Sequence, residues 1–231
     1  MPSFNGSGAG PVYGHAASKD LAHWARLPVA IWNDRPYDSV AIYTGSATVV
    51  DGKIYQLYPG ICKPVGGPHG AYSNCTTGGN LNLAVPADPS DPLLTNWSKL
   101  DTNPVVNNTQ RDPSSAWRTV HGEWRIVTYN TTLYGSTDFH SWYEVGHQPG
   151  FDVGECPSFM PLPRDTPGSG PVPSSIAGKP THVYKNSHSW ADFMQVCDSD
   201  GPSTRGKTCI AHPHSLWLSF HSYPCSDAPS M

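Results

Sequence analysis

At 231 residues, with 37% apolar side chains, the chain is long enough to bury one good core, so a single domain with tails is expected. Only 14% of residues are charged, and 24 prolines and 22 glycines suit short strands joined by tight turns, which excludes a fold built on long helices. A formal net charge of -4 offers no basic field to a nucleic acid, and no run of eighteen apolar residues is present to span a membrane, so neither partner is expected; the oligomeric state stays open.

In chain order, the first twenty residues lack the basic-then-apolar order of a signal peptide, and the sequence is expected to start inside a longer one. The run SKDLAHW, 18 to 24, is the first copy of an internal repeat. Next, SATVV-DG-KIYQLY, 46 to 58, predicts a hairpin: Asp51-Gly52 suits the two positive-φ positions of a type I′ turn, with alternating strands on either side. Cys62 and Cys75 bracket a Gly/Pro-rich loop short enough for a disulfide to close; two unpaired loop cysteines is the other reading. The second copy, SDPLLTNW, follows at 90 to 97, and AWRTV-HG-EWRIVTY, 116 to 129, predicts another hairpin turning at His121-Gly122. The third copy, STDFHSW, lies at 136 to 142. Residues 182 to 196 again read as strands, whereas 197 to 231 show no sustained alternation and are expected to form an irregular or disordered tail.

The first and third copies share the form S-x-D-[L/F]-x-x-W, SDPLLTNW lies between them, and the tryptophans Trp24, Trp97 and Trp142 are 73 and 45 residues apart. Such spacing fits one supersecondary unit with variable loops. Between 13 and 20 residues after each tryptophan a polar cluster opens a new strand: Thr44-Gly45-Ser46, Arg111-Asp112-Pro113 and Glu155-Cys156-Pro157. In a propeller the innermost strands of successive blades surround one channel, so these clusters would converge; a solenoid would set them in a row. Asp112 and Glu155 are the two acids in corresponding slots, and paired carboxylates are what glycoside hydrolysis needs, although ordinary turn and loop acids would look the same from spacing alone.

From about Gly10 to Pro161 the chain resembles glycoside hydrolase family 32, which holds invertases, fructan hydrolases and plant fructosyltransferases. The matching runs, in order, are GHAASKDLAHW, LPVAIWNDRPYDSVAIYTGSATVV, LAVPADPSDPLLTNWSK, NPVV, RDPSSAW and GECPSFMP. The resemblance implies an all-β chain forming part of a five-bladed β-propeller over residues 1 to 196, about three blades and the start of another. It also implies a retaining hydrolase of terminal β-fructofuranosyl residues of sucrose or fructans, with no metal or organic cofactor. Glu155 takes the acid/base role of the family's E-C motif, and Asp112 the role of the R-D-P aspartate that holds fructosyl hydroxyls and stabilises the transition state. Arg111 would grip the Asp112 carboxylate and a sugar hydroxyl, and Tyr43 and Thr44 match the family's aromatic-Ser/Thr pair on the sugar.

Two features depart from the family pattern. Its nucleophile stands in a W-x-N-D-P-N-G run upstream of G-H-A-x-S, for which no room exists before Gly14, so these residues alone are expected to be inactive. The tempting replacement, Trp32-Asn33-Asp34, comes after that run, and Asp34 is expected to be a turn residue. Second, the family's W-E-C-x-D-F reads Gly154-Glu155-Cys156-Pro157-Ser158-Phe159 here, without the aromatic before the acid. A non-catalytic fructoside-binding propeller and a fructosyltransferase are the alternative functions.

Five N-x-[ST] sequons, at Asn5, Asn74, Asn96, Asn107 and Asn130, favour export, to the cell exterior or wall or to the vacuole. Cys209, His212, His214, His221 and Cys225 follow none of the usual zinc spacings, so no metal is expected.

Overall fold

The computed structural model describes residues 10–63, 75, 79–107, 111–119, 121–147, 153–161, 182–188 and 191–197. The expected tail beyond Cys197, the histidines and cysteines in it, and the sequons at Asn5 and Asn74 lie outside the described residues. Fourteen strands, one 3-10 turn and no α-helix are present among the described residues. Contacts group them into two compact units: one holds the residues up to Pro113 with His140–Trp142, the other Ser114–Phe139 and the residues from Tyr143 on.

In the first unit, β1 (Tyr13–Ser18) and β2 (Trp24–Ile31) form an antiparallel hairpin. A larger sheet follows: β3 (Ala41–Ile42), β4 (Ser46–Val50), β5 (Lys53–Ile61), β6 (Asn80–Pro86) and β7 (Trp97–Lys99), in the order β3-β5-β6-β7 with β4 also on β5. The β4–β5 hairpin turns at Asp51-Gly52 as expected, with φ of 49° and 79° and Val50 opposite Lys53. Cys62 and Cys75 are joined in a disulfide. Ile31, Ile42, Tyr58 and Ala84 make a buried cluster, with Tyr13, Ala30 and Trp97 packed against it.

In the second unit, β8 (Trp117–Arg118), β9 (Trp124–Val127), β10 (Thr132–Ser136) and β11 (Tyr143–His147) form a four-stranded meander. The connection at His121-Gly122 is longer than the two-residue turn expected. Arg118 pairs with Trp124, and Thr119 N–H closes on Glu123 O at 2.8 Å. Gly122 is left-handed at φ 84° while His121 is not, so the geometry of a type I′ pair is never reached. A third sheet, β12 (Glu155–Pro161), β13 (His182–His188) and β14 (Ala191–Cys197), agrees with the strands expected at 182 to 196. Trp117, Val127, Leu133, Phe159, Tyr184 and Cys197 bury one another across these two sheets.

The repeat has a physical basis. In the first copy Ser18 Oγ accepts the N–H of Leu21 at 2.8 Å, and Leu21 is left-handed at φ 61°. In the third, Ser136 Oγ accepts the N–H of Phe139 at 2.8 Å, and Phe139 has φ 66°. The serine thus caps a left-handed residue three places on, a strained conformation that a local hydroxyl stabilises. Asp91 performs this task in the second copy, accepting from Leu93 and Thr95 N–H at 2.9 Å around left-handed Leu94. Trp24 and Trp97 then open a strand, and Trp142 directly precedes one.

Candidate active site

Four of the expected site residues belong to the first unit. Ile42 pairs with Gly60 and Ser46 with Leu57, so three residues, Tyr43-Thr44-Gly45, stand opposite two, Tyr58 and Pro59. That is a β-bulge in a strand of which β3 and β4 are the two halves, and it turns Thr44 out to solvent while Tyr43 stays half-buried. Tyr43 N–H still reaches Pro59 O at 3.1 Å, but its carbonyl falls out of the ladder.

Tyr13, which the sequence did not mark, satisfies that carbonyl: its hydroxyl donates to Tyr43 O at 2.9 Å. Gly45 lies against the same hydroxyl, which a Cβ on it would approach to 2.7 Å. Burial first, and the nearby Asp112 carboxylate as well, push the Tyr13 hydroxyl far above the ordinary tyrosine range, so it remains a neutral donor. No signal local to Tyr13 could have revealed this, because its partner is thirty positions along the chain.

Asp112 is 4% exposed and left-handed at φ 60°, a conformation that turns its side chain inward from an irregular stretch. Arg111 Nε lies 3.8 Å from Asp112 Oδ2, while the Arg111 side chain remains 40% exposed. A buried carboxylate flanked by an accessible guanidinium suits a ligand rich in hydroxyls.

The Trp32-Asn33-Asp34 segment is used otherwise. Lys99, 7% exposed at its side chain, donates to Trp32 O at 2.6 Å, Asp34 Oδ1 at 2.7 Å and Asp38 Oδ2 at 2.5 Å. Asp38 is fully buried and also accepts from Arg35 N–H at 2.8 Å and Tyr58 OH at 3.3 Å. Burial raises the Asp38 carboxyl above its ordinary range, and the Lys99 ammonium opposes that rise. Asp34 is thus a loop carboxylate held by a lysine, in line with the turn role expected of it.

Glu155 opens β12 in the second unit, half-buried and opposite Ser187, with a bulge between it and Ser158. On the same face, by register, Ser158 is opposite Lys185, and Lys185 Nζ donates to Ser187 Oγ at 2.8 Å. Cys156 is left-handed at φ 47° and disulfide-bonded, as is Cys197. Gly154 is buried, its N–H on Tyr129 O at 3.2 Å. A Cβ placed on it would stand 2.7 Å from Asn186 Nδ2 and 2.9 Å from Ser187 O. A side chain before the acid, such as the aromatic of the family pattern, would therefore run into buried Asn186. Among the described residues no group of three or more His, Cys, Asp or Glu could hold a metal ion.

Residues 4–208 match the model of the glycosyl hydrolases family 32 N-terminal domain. The chain is 36% identical over 196 residues to acid beta-fructofuranosidase 4, vacuolar, of Arabidopsis thaliana, covering 76% of itself and 27% of that protein. It is 32% identical over 174 residues to fructan 6-exohydrolase of Beta vulgaris, covering 65% of itself and 27% of that enzyme. Among solved structures, fructan 1-exohydrolase IIa of Cichorium intybus superposes with a TM-score of 0.66 at 28% identity, over 88% of this chain and 40% of that one. The same enzyme in complex with 1-kestose matches with a TM-score of 0.61 at 28% identity, over 80% and 36% of the two chains. The chain thus spans roughly a quarter of the length of the curated relatives it matches. These likenesses identify the sheets as blades of a partial five-bladed β-propeller, the fold class expected from the sequence.

Proposed function

Because the chain belongs to glycoside hydrolase family 32, we propose that it supplies the acid/base and the transition-state-stabilising carboxylate of a retaining hydrolase acting on terminal β-fructofuranosyl residues. Asp112 carries the reading: a buried carboxylate at positive φ, beside Arg111 and close enough to Tyr13 to act on its hydroxyl. The names of the relatives, which are fructofuranosidases and fructan exohydrolases, support sucrose or a fructan as the substrate.

In the reaction so assigned, Asp112 accepts hydrogen bonds from fructosyl hydroxyls, which strengthen as positive charge develops on the ring. Glu155 gives its proton to the glycosidic oxygen as the bond to the anomeric carbon breaks, and a carboxylate nucleophile takes that carbon. Glu155 then removes a proton from water, which displaces the carboxylate and frees fructose. A sugar hydroxyl in place of that water would give the fructosyltransferase reaction. The nucleophile of the family's W-x-N-D-P-N-G run has no counterpart among the 231 residues, so by themselves they bind without turning over. The close packing of Gly154 on Asn186 favours fructoside binding without cleavage as a second reading, because the aromatic wall beside the acid is missing.

Cys62–Cys75, and the exposure of the sequon residues Asn96 and Asn107, support passage through an oxidising compartment to the vacuole or cell exterior. The test is calorimetry of the 231-residue chain with sucrose and 1-kestose. Saturable binding that Asp112→Ala abolishes is expected, and wild-type affinity in Asp112→Ala would remove Asp112 from the site.

A further inference from the structure

The Tyr43–Gly45 bulge leaves the Tyr43 carbonyl outside the sheet ladder, and a hydroxyl meets it: Tyr13 Oη donates to Tyr43 O at 2.9 Å. The fit leaves no slack: a Cβ on Gly45 would stand 2.7 Å from the Tyr13 hydroxyl and 2.0 Å from Leu57 O. On its other side the Tyr13 ring meets Tyr58 edge-on, with centroids 6.3 Å apart, and packs on the core of Ile31, Ile42 and Ala84. The ring therefore cannot swing away without uncovering that core. The residues shaped by this plug are Tyr43 and Thr44, and Asp112 lies close enough to act on it.

We propose that Tyr13 is a positioning residue for fructoside binding, whose hydroxyl sets the bulge that presents Tyr43 and Thr44 to the sugar beside Asp112. The proposal rests on the fructoside reading of that site. A bulge next to a binding site aims side chains outward, and the carbonyl it leaves outside the ladder needs a donor, here the Tyr13 hydroxyl. With its proton committed to Tyr43 O, the hydroxyl gives no proton to Asp112, and the Asp112 carboxylate keeps its acceptor role toward sugar hydroxyls.

The experiment compares Tyr13→Phe with Tyr58→Phe in the 231-residue chain. Tyr58→Phe removes a hydroxyl from the same core, one that serves Asp38 and not the bulge. Amide exchange at Tyr43, nitrogen-proton resonances of Tyr43 to Ser46, and the affinities for sucrose and 1-kestose are measured in each. Tyr13→Phe is expected to speed exchange at Tyr43, whose N–H bonds Pro59 O, about tenfold, shift the bulge resonances and weaken both sugars about tenfold. Tyr58→Phe lowers thermal stability and leaves the Tyr43 amide and both affinities unchanged. Unchanged Tyr43 exchange in Tyr13→Phe, or faster exchange with unchanged sugar affinity, overturns the proposal. If the wild-type chain binds neither sugar while Tyr13→Phe still loosens Tyr43, the fructoside reading is what fails, and with it the positioning role, leaving only a structural plug.

Discussion

Gly154, the residue before the proposed acid, is packed directly against Asn186, whose amide nitrogen lies 2.7 Å from where a Cβ on residue 154 would be. Asn186 is 2% exposed, and its neighbour Ser187 faces Glu155 across the β12–β13 ladder. One close contact therefore decides both how β13 docks and what stands beside the acid. Gly154→Ala is expected to cost about 1–3 kcal/mol by overpacking, because backbone and a buried amide, rather than a flexible chain end, must yield. Gly154→Trp is expected to separate β12 from β13 altogether. Denaturant unfolding measures the first, and Asn186→Ala in the Gly154→Ala background should recover part of the loss; no recovery would mean that the strain falls on Ser187 O instead.

Lys99→Met is expected to be far more damaging than Asp34→Ala, although both break the same ion pair. Asp34 is 45% exposed and rehydrates, whereas Asp38 is left buried with its charge unopposed. Breaking a buried pair from one side costs about 3–5 kcal/mol. The pH dependence has a definite sign. Burial already raises the Asp38 carboxyl in the folded state, and loss of Lys99 raises it further. A raised folded value contributes stability that is present below the unfolded carboxylate value of about 3.9 and lost as pH rises through the folded one. The deficit of Lys99→Met should accordingly be small near pH 4 and grow toward neutrality, which urea titrations across that range will show.

Asp91 behaves in the opposite sense. The Thr95 hydroxyl first, then the Thr95 and Leu93 N–H groups, hold its carboxyl below the ordinary range. Its contribution is present above the unfolded value of about 3.9 and lost as pH falls through the lowered folded one. Asp91→Asn should therefore unfold at a lower temperature than wild type near neutral pH and converge with it in acid. A gap that persists at the lowest pH would show that the turn needs the Asp91 shape and not its charge.

How far the sequence alone reached depends on the range of the interaction. The Asp51-Gly52 hairpin was legible because two adjacent residues dictate its turn. The S-x-D repeat was visible as a pattern, but its meaning, a serine or aspartate capping a left-handed leucine or phenylalanine, needed backbone angles. His121-Gly122 misled because only the glycine takes up the left-handed conformation and the chain spends five residues on the connection. In the candidate site, Asp112, Glu155, Arg111, Tyr43 and Thr44 carry motif signatures. Tyr13 and Asn186 carry none, because each acts through a contact thirty or more residues away. Bulges and close glycine contacts depend on what faces the strand, and a chain read in one dimension does not show that.

The two proposed carboxylates cannot by themselves complete a retaining reaction, since Glu155 supplies and removes protons while Asp112 holds hydroxyls, and neither is assigned to the anomeric carbon. Without an attacking carboxylate no covalent intermediate forms, and loss of such a group typically removes several orders of magnitude in rate. The 231-residue chain is expected to release no measurable fructose from sucrose or 1-kestose under conditions in which it binds them. Joining a W-x-N-D-P-N-G segment ahead of Gly10, with enough chain to reach the fructosyl site, should restore turnover, and Glu155→Gln in that longer protein should abolish it again. Fructose release from the 231 residues alone, lost on Glu155→Gln, would mean that a carboxylate already among them attacks the sugar. Asp34→Ala would then be the first variant to measure, with Lys99→Met as the check that its effect is chemical and not a consequence of the broken ion pair.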